Sequence, residues 1–328
     1  MARLLTIGQI VRGIAVAVAV VVVDGRMSGH GHGHGHDHGH DLPRLSRDGV
    51  FPRDIGGAHG KSCAAMRPSF ARSTVASVPD APIGLWSDGD RAQRYDSAEN
   101  RTFYRGLLAR LIADVGPVPQ GRGLDLGCGS GFATEALLQA FPCMSWQGLD
   151  VSAPMLRRAA QKPGLAMVPL RHAAAESLPF AEACFDVVVS NFSWHWFAPA
   201  AGREVRRVLR PGGRLLVSAP LRHFSTAPGN RWLARRLRAG RNPQRLATQG
   251  LRLEDMGDLL PGEVQVQRLQ SMVVEERFPD ARTLLAALES RGSLQAIFGA
   301  AGLDASGDLP EDELAFEWHV GLLHAECR

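Results

Sequence analysis

The stretch LDLGCGSGFATEAL, Leu124 to Leu137, constrains this chain more than any other, because an apolar strand-like run passes through Gly127, Gly129 and Gly131 directly into a helix-like run. Such a junction places bare backbone N–H groups and the positive end of a helix at the carboxyl edge of a parallel sheet, where doubly wound folds bind nucleotides. The glycine spacing is G-x-G-x-G. The dinucleotide fingerprint needs a third glycine where Phe132 stands, and no lysine follows to make a Walker phosphate loop.

Two acids refine the expectation. Asp125 lies two residues before the first glycine, and Asp150 closes the next predicted strand in GLDVS. A carboxylate at that second strand end can accept both ribose hydroxyls, whereas an aspartate beside the loop repels a pyrophosphate and suits a cationic amino-acid moiety. Together they point to an adenosyl cofactor that carries an ammonium and no phosphate, which S-adenosylmethionine (SAM) satisfies.

Around this junction, short apolar runs alternate with helical patterns. Strands are predicted at 123–126, 145–149, 167–171, 185–190 and 214–218, and helices at 97–113, 133–140, 153–161 and 200–209. Such alternation specifies a parallel sheet covered on both faces. The RPGG at Arg210 to Gly213 reads as a helix stop and tight turn. Beyond Pro220 the rhythm lapses into an Arg-rich helical segment, a long strand beginning near Val264, a helix at 281–291 and a last strand at 314–325 paired with the long one.

The first 78 residues read differently. The apolar run Ile14 to Val23 is ten residues long, and spanning a bilayer takes about 20, so no transmembrane span is expected. A basic flank and small residues are ingredients of a signal peptide, but no clean cleavage site follows Val23. A Gly-His repeat then places His30, His32, His34, His36, His38 and His40 at alternate positions. This repeat can bind divalent metals adventitiously, with no scaffold to fix a geometry. The expectation is a disordered extension over 1–78 and one domain over 79–328, with its cofactor-binding core at 121–220. Five scattered cysteines without a C-x-x-C pair predict neither disulfides nor a zinc site and fit a cytoplasmic protein.

Four motifs in order, LDLGCGSG, GLDVS, FDVVVSNFSWHW and VLRPGGRLLVS, resemble those of the class I SAM-dependent methyltransferases between Gly123 and Ser218. The resemblance implies a Rossmann-like, seven-stranded α/β sheet with helices on both faces and a C-terminal antiparallel strand pair. It also implies that Gly127, Gly129 and Gly131 line the methionine part of SAM, that Asp150 binds the ribose and that Met155 packs on the adenine. The family often carries an acid where this chain has Ala174, and Glu176 is the nearby substitute.

From about Asp88 onward, RAQRYD, SNFSWHW, RFPDARTLLAALESRGS and LAFEWHVGLLHAE are similar to the malonyl-acyl-carrier-protein O-methyltransferases of biotin synthesis, the BioC family. That likeness implies that Tyr95 belongs to an N-terminal lid and that Asn191 and Trp196 border the acceptor pocket. A malonyl carboxylate is already anionic and needs no general base. His195 and His223 are the bases available to a protonated acceptor such as a quinol or another small molecule.

From Ala201 to Arg252 thirteen arginines face the single acid Glu204, a net +12, while the remainder to Arg328 carries fifteen acids and five arginines, a net −10. The guanidinium forks of Arg222, Arg231, Arg235, Arg236, Arg238 and Arg241 offer a docking face for an acidic carrier protein. Nucleic acid is not the expected partner, since the fourth-strand motif lacks the D/N-P-P-Y/F pattern that holds a flipped base.

Overall fold

The computed structural model describes residues 6–11, 14–19, 83–113, 115, 120–221, 225–239, 251–293, 310 and 312–328. Its sheet is built on strands β1 (Thr6–Val11), β2 (Ile14–Ala19), β3 (Gly121–Leu126), β4 (Met144–Asp150), β5 (Leu170–His172), β6 (Phe185–Asn191), β7 (Leu209–Pro220), β8 (Val264–Phe278) and β9 (Leu314–Cys327). The helices are α1 (Ile83–Trp86), α2 (Gly89–Tyr95), α3 (Ala98–Ile112), α4 (Phe132–Ala140), α5 (Ala153–Ala160), α6 (Pro199–Val208), α7 (Pro228–Ala239) and α8 (Ala281–Ser290).

The strand order is β1-β2-β8-β9-β7-β6-β3-β4-β5. Strands β3 to β7 pair in parallel, and β9 inserts antiparallel between β7 and β8. Strands β3 to β9 are the seven that the motifs imply, with the antiparallel C-terminal pair, and β1 and β2 extend the sheet to nine. Parallel strands need apolar side chains on both faces, and β6 supplies them: Val187 and Val189 enter one core, while Phe185 and Val188 enter the other. In β9 the period of two is plain, with Leu314, Phe316, Trp318, Val320 and Leu322 on one face and Leu323, Ala325 and Cys327 on the other.

Side-chain caps start the helices. Ser97, Ser152 and Asp280 accept from the N–H groups of Asn100, Met155 and Thr283, satisfying donors that the first turn leaves free. Pro154 and Pro199 sit in the first turns of α5 and α6, where a missing N–H costs nothing.

Three local expectations change. Strand β5 starts at Leu170 and not at Met167, because a 3₁₀ turn at Pro163–Leu165 continues into a bond from Val168 N–H to Leu165 O and leaves Met167 78% exposed. The RPGG segment lies within β7, with a register shift against β6 between Phe185 and Val187, and is not a turn before it. Within the extension expected to lack order, β1 and β2 pair antiparallel, and Ala15, Val16 and Ala17 of β2 pair with Arg277, Glu276 and Glu275 of β8. The His30 to His40 repeat lies outside the described residues.

Candidate active site

The loop after β3 shows what each glycine is for. All three adopt left-handed φ, at +75°, +54° and +86°, which glycine reaches without the Cβ clash that other residues suffer. A Cβ at Gly127 would lie 2.6 Å from Ser193 Cβ, and one at Gly131 would lie 2.3 Å from Leu165 Cδ1. Those two glycines let the protein close on itself. Gly129 differs, because its Cβ would meet only the Tyr95 ring at 3.8 Å, so this backbone faces the site.

Asp150 holds Gly129 in place. Its Oδ2 accepts from Gly129 N–H at 2.7 Å and its Oδ1 from Ser152 N–H at 2.8 Å. A carboxylate has about four acceptor positions, so lone pairs remain for two ribose hydroxyls. Burial pushes its pKa up, against the pull of the Ser152 and Gly129 N–H groups. Asp125, fully buried in β3, accepts from Thr134 Oγ1 at 2.6 Å, and its Oδ1 is enclosed without a partner. Burial raises its pKa to about 7, with Thr134 opposing and Asp150 adding. An orphaned carboxylate oxygen under the loop suits an ammonium and disfavours a phosphate. Lys162, which reaches the loop at Ser130 O (2.6 Å), is already paired with Asp96 at 2.8 Å. These residues therefore fit SAM.

The other expected contacts divide. Met155 is 3% exposed on α5, directly after the Asp150 turn. Glu176 Oε1 accepts from Ala198 N–H at 2.8 Å, at the residue that precedes α6. Its Oε1 is thus engaged beside the position of Ala174. Asn191 is internal as well: its Nδ2 donates to Tyr104 O at 3.0 Å and its Oδ1 accepts from Ser218 Oγ at 2.8 Å. It ties α3, β6 and β7 together instead of presenting an amide to an acceptor.

Tyr95, His195 and Trp196 do come together, with partners that the sequence reading did not single out. Ring centroids run Trp86 to Tyr95 5.6 Å, Tyr95 to Tyr104 5.2 Å, Tyr104 to Phe192 5.7 Å, Phe192 to His195 5.9 Å, His195 to Trp196 4.6 Å and Trp196 back to Trp86 6.4 Å. Six uncharged rings thus close a circuit beside Gly129. Phe192 is held at φ +62° with its N–H bonded to Ser218, a left-handed aromatic of the kind that concentrates at functional sites. Trp194 is fully buried with Nε1 donating to Met256 O, which anchors the 3₁₀ turn carrying His195. The chain's two tyrosines are adjacent here, and a signal for Tyr104 was available in that scarcity. Burial raises the pKa of both, Tyr104 to about 12.

Helices α1 and α2, where the family likeness implies a lid, are fastened at several points. Ser152 Oγ donates to Trp86 O at 2.6 Å, Asn100 Nδ2 to Tyr95 O at 2.9 Å, and Asp96 meets Lys162. Behind them Arg291 and Glu276 form a buried pair at 2.5 and 3.0 Å, with Arg291 Nε donating to Asn100 Oδ1 at 2.8 Å.

Of the basic set, Arg231 and Arg235 are exposed on α7 and Arg236 lies over the Trp232 ring at 5.7 Å. Arg222, His223, Arg241 and the Arg238 side chain lie outside the described residues. Helix α7 is fixed by Asn230, which exchanges bonds with the backbone of Glu317 at 3.0 and 2.8 Å. Since Pro220 at the end of β7 pairs with Val320, α7 stands at the same sheet edge as the glycine loop. Among the described residues no cluster of metal-ligating side chains occurs, and no helix is long and apolar enough to cross a membrane.

A family model described as a methyltransferase domain matches residues 124–217. The malonyl-[acyl-carrier protein] O-methyltransferase of Methylococcus capsulatus is 37% identical over 158 residues, 46% of this chain and 57% of that protein. The chain thus spans little more than half of that relative's length. Its counterpart from Alcanivorax borkumensis is 32% identical over 236 residues, covering 68% of this chain and 77% of the relative. A trans-aconitate 2-methyltransferase of Acidovorax is 37% identical over 131 residues, 39% of this chain and 47% of that protein. With the second of these aligned over most of both sequences, the chain belongs to the malonyl-[acyl-carrier protein] O-methyltransferase family of SAM-dependent methyltransferases.

Proposed function

We propose that this protein transfers a methyl group from SAM to the free carboxylate of a malonyl group borne on an acyl-carrier protein, the step that the family resemblance places in biotin synthesis. The observation that carries the reading is the circuit of aromatic rings beside Gly129, which is apolar and offers only a weak base. Its one imidazole, His195, is pushed by burial down to about 3 and stays neutral at physiological pH. A carboxylate arrives ionised and needs no deprotonation, whereas a quinol or alcohol does.

Bound SAM supplies a sulfonium-activated methyl group. The protein's part is alignment and desolvation: the ring faces exclude water from an anionic nucleophile and stabilise the cationic donor. With SAM held at Gly129 and Asp150, the methyl would pass to the carboxylate oxygen with loss of S-adenosylhomocysteine, and the protein would have no proton to move. Carrier proteins are acidic, and Arg231 and Arg235 on α7 stand exposed at the edge by which an acyl arm would enter.

The test presents methyl-labelled SAM with malonyl-carrier protein, a free malonyl thioester, trans-aconitate and a quinol panel, and identifies products by mass. A methyl ester on the malonyl carrier is expected, and reversing Arg231 and Arg235 to Glu is expected to lower kcat/KM about tenfold for the carrier and less for the free thioester. Label on trans-aconitate or a quinol alone would overturn the acceptor, and equal loss on both thioesters would remove the docking face.

A further inference from the structure

Lys162 is one of two lysines in the chain, and it lies only 7% exposed just beyond α5. A buried ammonium is costly unless partners replace its water. Three contacts surround this one: Nζ donates to Ser130 O at 2.6 Å, meets Asp96 Oδ1 at 2.8 Å and lies 4.0 Å from the centre of the Phe132 ring. Burial pulls its pKa down, and Asp96 opposes that pull. The backbone is fixed as well, because Lys162 N–H donates to Ala159 O at 3.0 Å and its carbonyl accepts from Leu165 N–H at 2.9 Å.

Those partners belong to two separate parts of the site. Ser130 sits between Gly129, whose backbone faces the site, and Gly131, and Phe132 opens α4. Asp96 follows Tyr95 and ends α2, where its own N–H donates to Ala92 O. The Tyr95 ring stacks on Phe132 at 5.7 Å and is the ring that a Cβ at Gly129 would meet. One ammonium therefore joins the glycine loop to the residue next to the aromatic circuit. Arg158, the other cation beside Asp96, stands farther off at 3.6 Å and its side chain is 32% exposed, so it is a weaker substitute for the pair.

We propose that Lys162 is a positioning residue that couples the glycine loop to the link between α2 and α3, so that affinity for SAM depends on the Lys162–Asp96 pair. The inference rests on the reading of Gly129 and Asp150 as the SAM site. Removing either partner leaves the other charge buried and uncompensated. The Ser130 carbonyl then loses its fixed donor, and the Gly129 backbone beside it loses its place. The same loss frees Asp96 and shifts Tyr95, its neighbour in the chain.

The test is a double-mutant cycle read in cofactor affinity. Full-length wild type, Asp96→Asn, Lys162→Met and the double variant are titrated calorimetrically with S-adenosylhomocysteine, and each is unfolded in urea without it. If the pair acts as one unit on the loop, each single variant binds about tenfold more weakly than wild type, and the double variant no more weakly than either. Bound S-adenosylhomocysteine should also slow amide exchange over Gly89–Tyr95 in wild type and leave it unchanged in Lys162→Met. Wild-type affinity in Lys162→Met, with only its urea midpoint lowered, would make the pair a structural tie and overturn the inference. So would losses that multiply to about a hundredfold in the double variant, or equal exchange protection in wild type and Lys162→Met. Should Lys162→Met fail to fold, Asp96→Asn carries the test alone: weakened affinity supports the inference and unchanged affinity overturns it. A wild type that does not bind S-adenosylhomocysteine overturns the reading of Gly129 and Asp150 and the inference with it.

Discussion

Asp125 and Asp150 stand on neighbouring strands with opposite tasks. Asp150 is satisfied by two backbone N–H groups and keeps lone pairs for a ligand, whereas Asp125 is fully buried with one oxygen unpaired. With a folded-state pKa near 7 against 3.8, Asp125 binds its proton more tightly when folded. Its contribution to stability is therefore complete below about pH 4 and is lost as pH rises through about 7. Asp125→Asn is expected to remove that slope, so the denaturation free energies of wild type and variant should diverge between about pH 4 and 7 by up to a few kcal/mol. Parallel curves across that range would show that Asp125 keeps an ordinary pKa. The two acids and three glycines were legible because their signal is local: a loop and the strand ends that flank it. Which glycine faces the ligand was not legible, since Ser193 and Leu165, which explain Gly127 and Gly131, are distant in sequence.

At the scale of elements, packing between segments does what periodicity alone does not announce. Strand β6 and helices α3 to α6 follow their apolar patterns closely. The aromatic circuit does not, because it draws on α1 to α3 and on the turn after β6, more than 85 positions apart in the chain, and becomes visible only when the sheet brings them together. Arg291 and Glu276 read as surface charges, yet both are under 5% exposed, buried because each satisfies the other. Close approach also governs Gly202 on α6, where a Cβ would fall 1.6 Å from Leu259 O. Backbone cannot swing aside like a long side chain, so Gly202→Ala should push α6 from the segment at 254–260 and destabilise the protein by about 1–3 kcal/mol, measured by urea denaturation. An unchanged midpoint would mean that the segment yields freely.

The whole molecule combines a cofactor-binding core, the helices α1 and α2 beside its glycine loop and a C-terminal strand pair that braces them. Asn100 bonds both Tyr95 O and Ser290 Oγ, and Arg291 bonds Asn100, so the strand pair and those helices share one buried network. The basic helix α7, with Arg231 and Arg235 exposed, lies at the same sheet edge as the glycine loop. We propose that Gly129 and Asp150 recognise a phosphate-free adenosyl cofactor, and all of it depends on that. Titration calorimetry of the full chain and of Asp150→Ala with S-adenosylhomocysteine, NAD and ATP tests it most directly. The account predicts that wild type binds S-adenosylhomocysteine and neither of the others, and that the variant binds it at least about tenfold more weakly. Equal affinity in the variant, or uptake of NAD or ATP in its place by wild type, would contradict it.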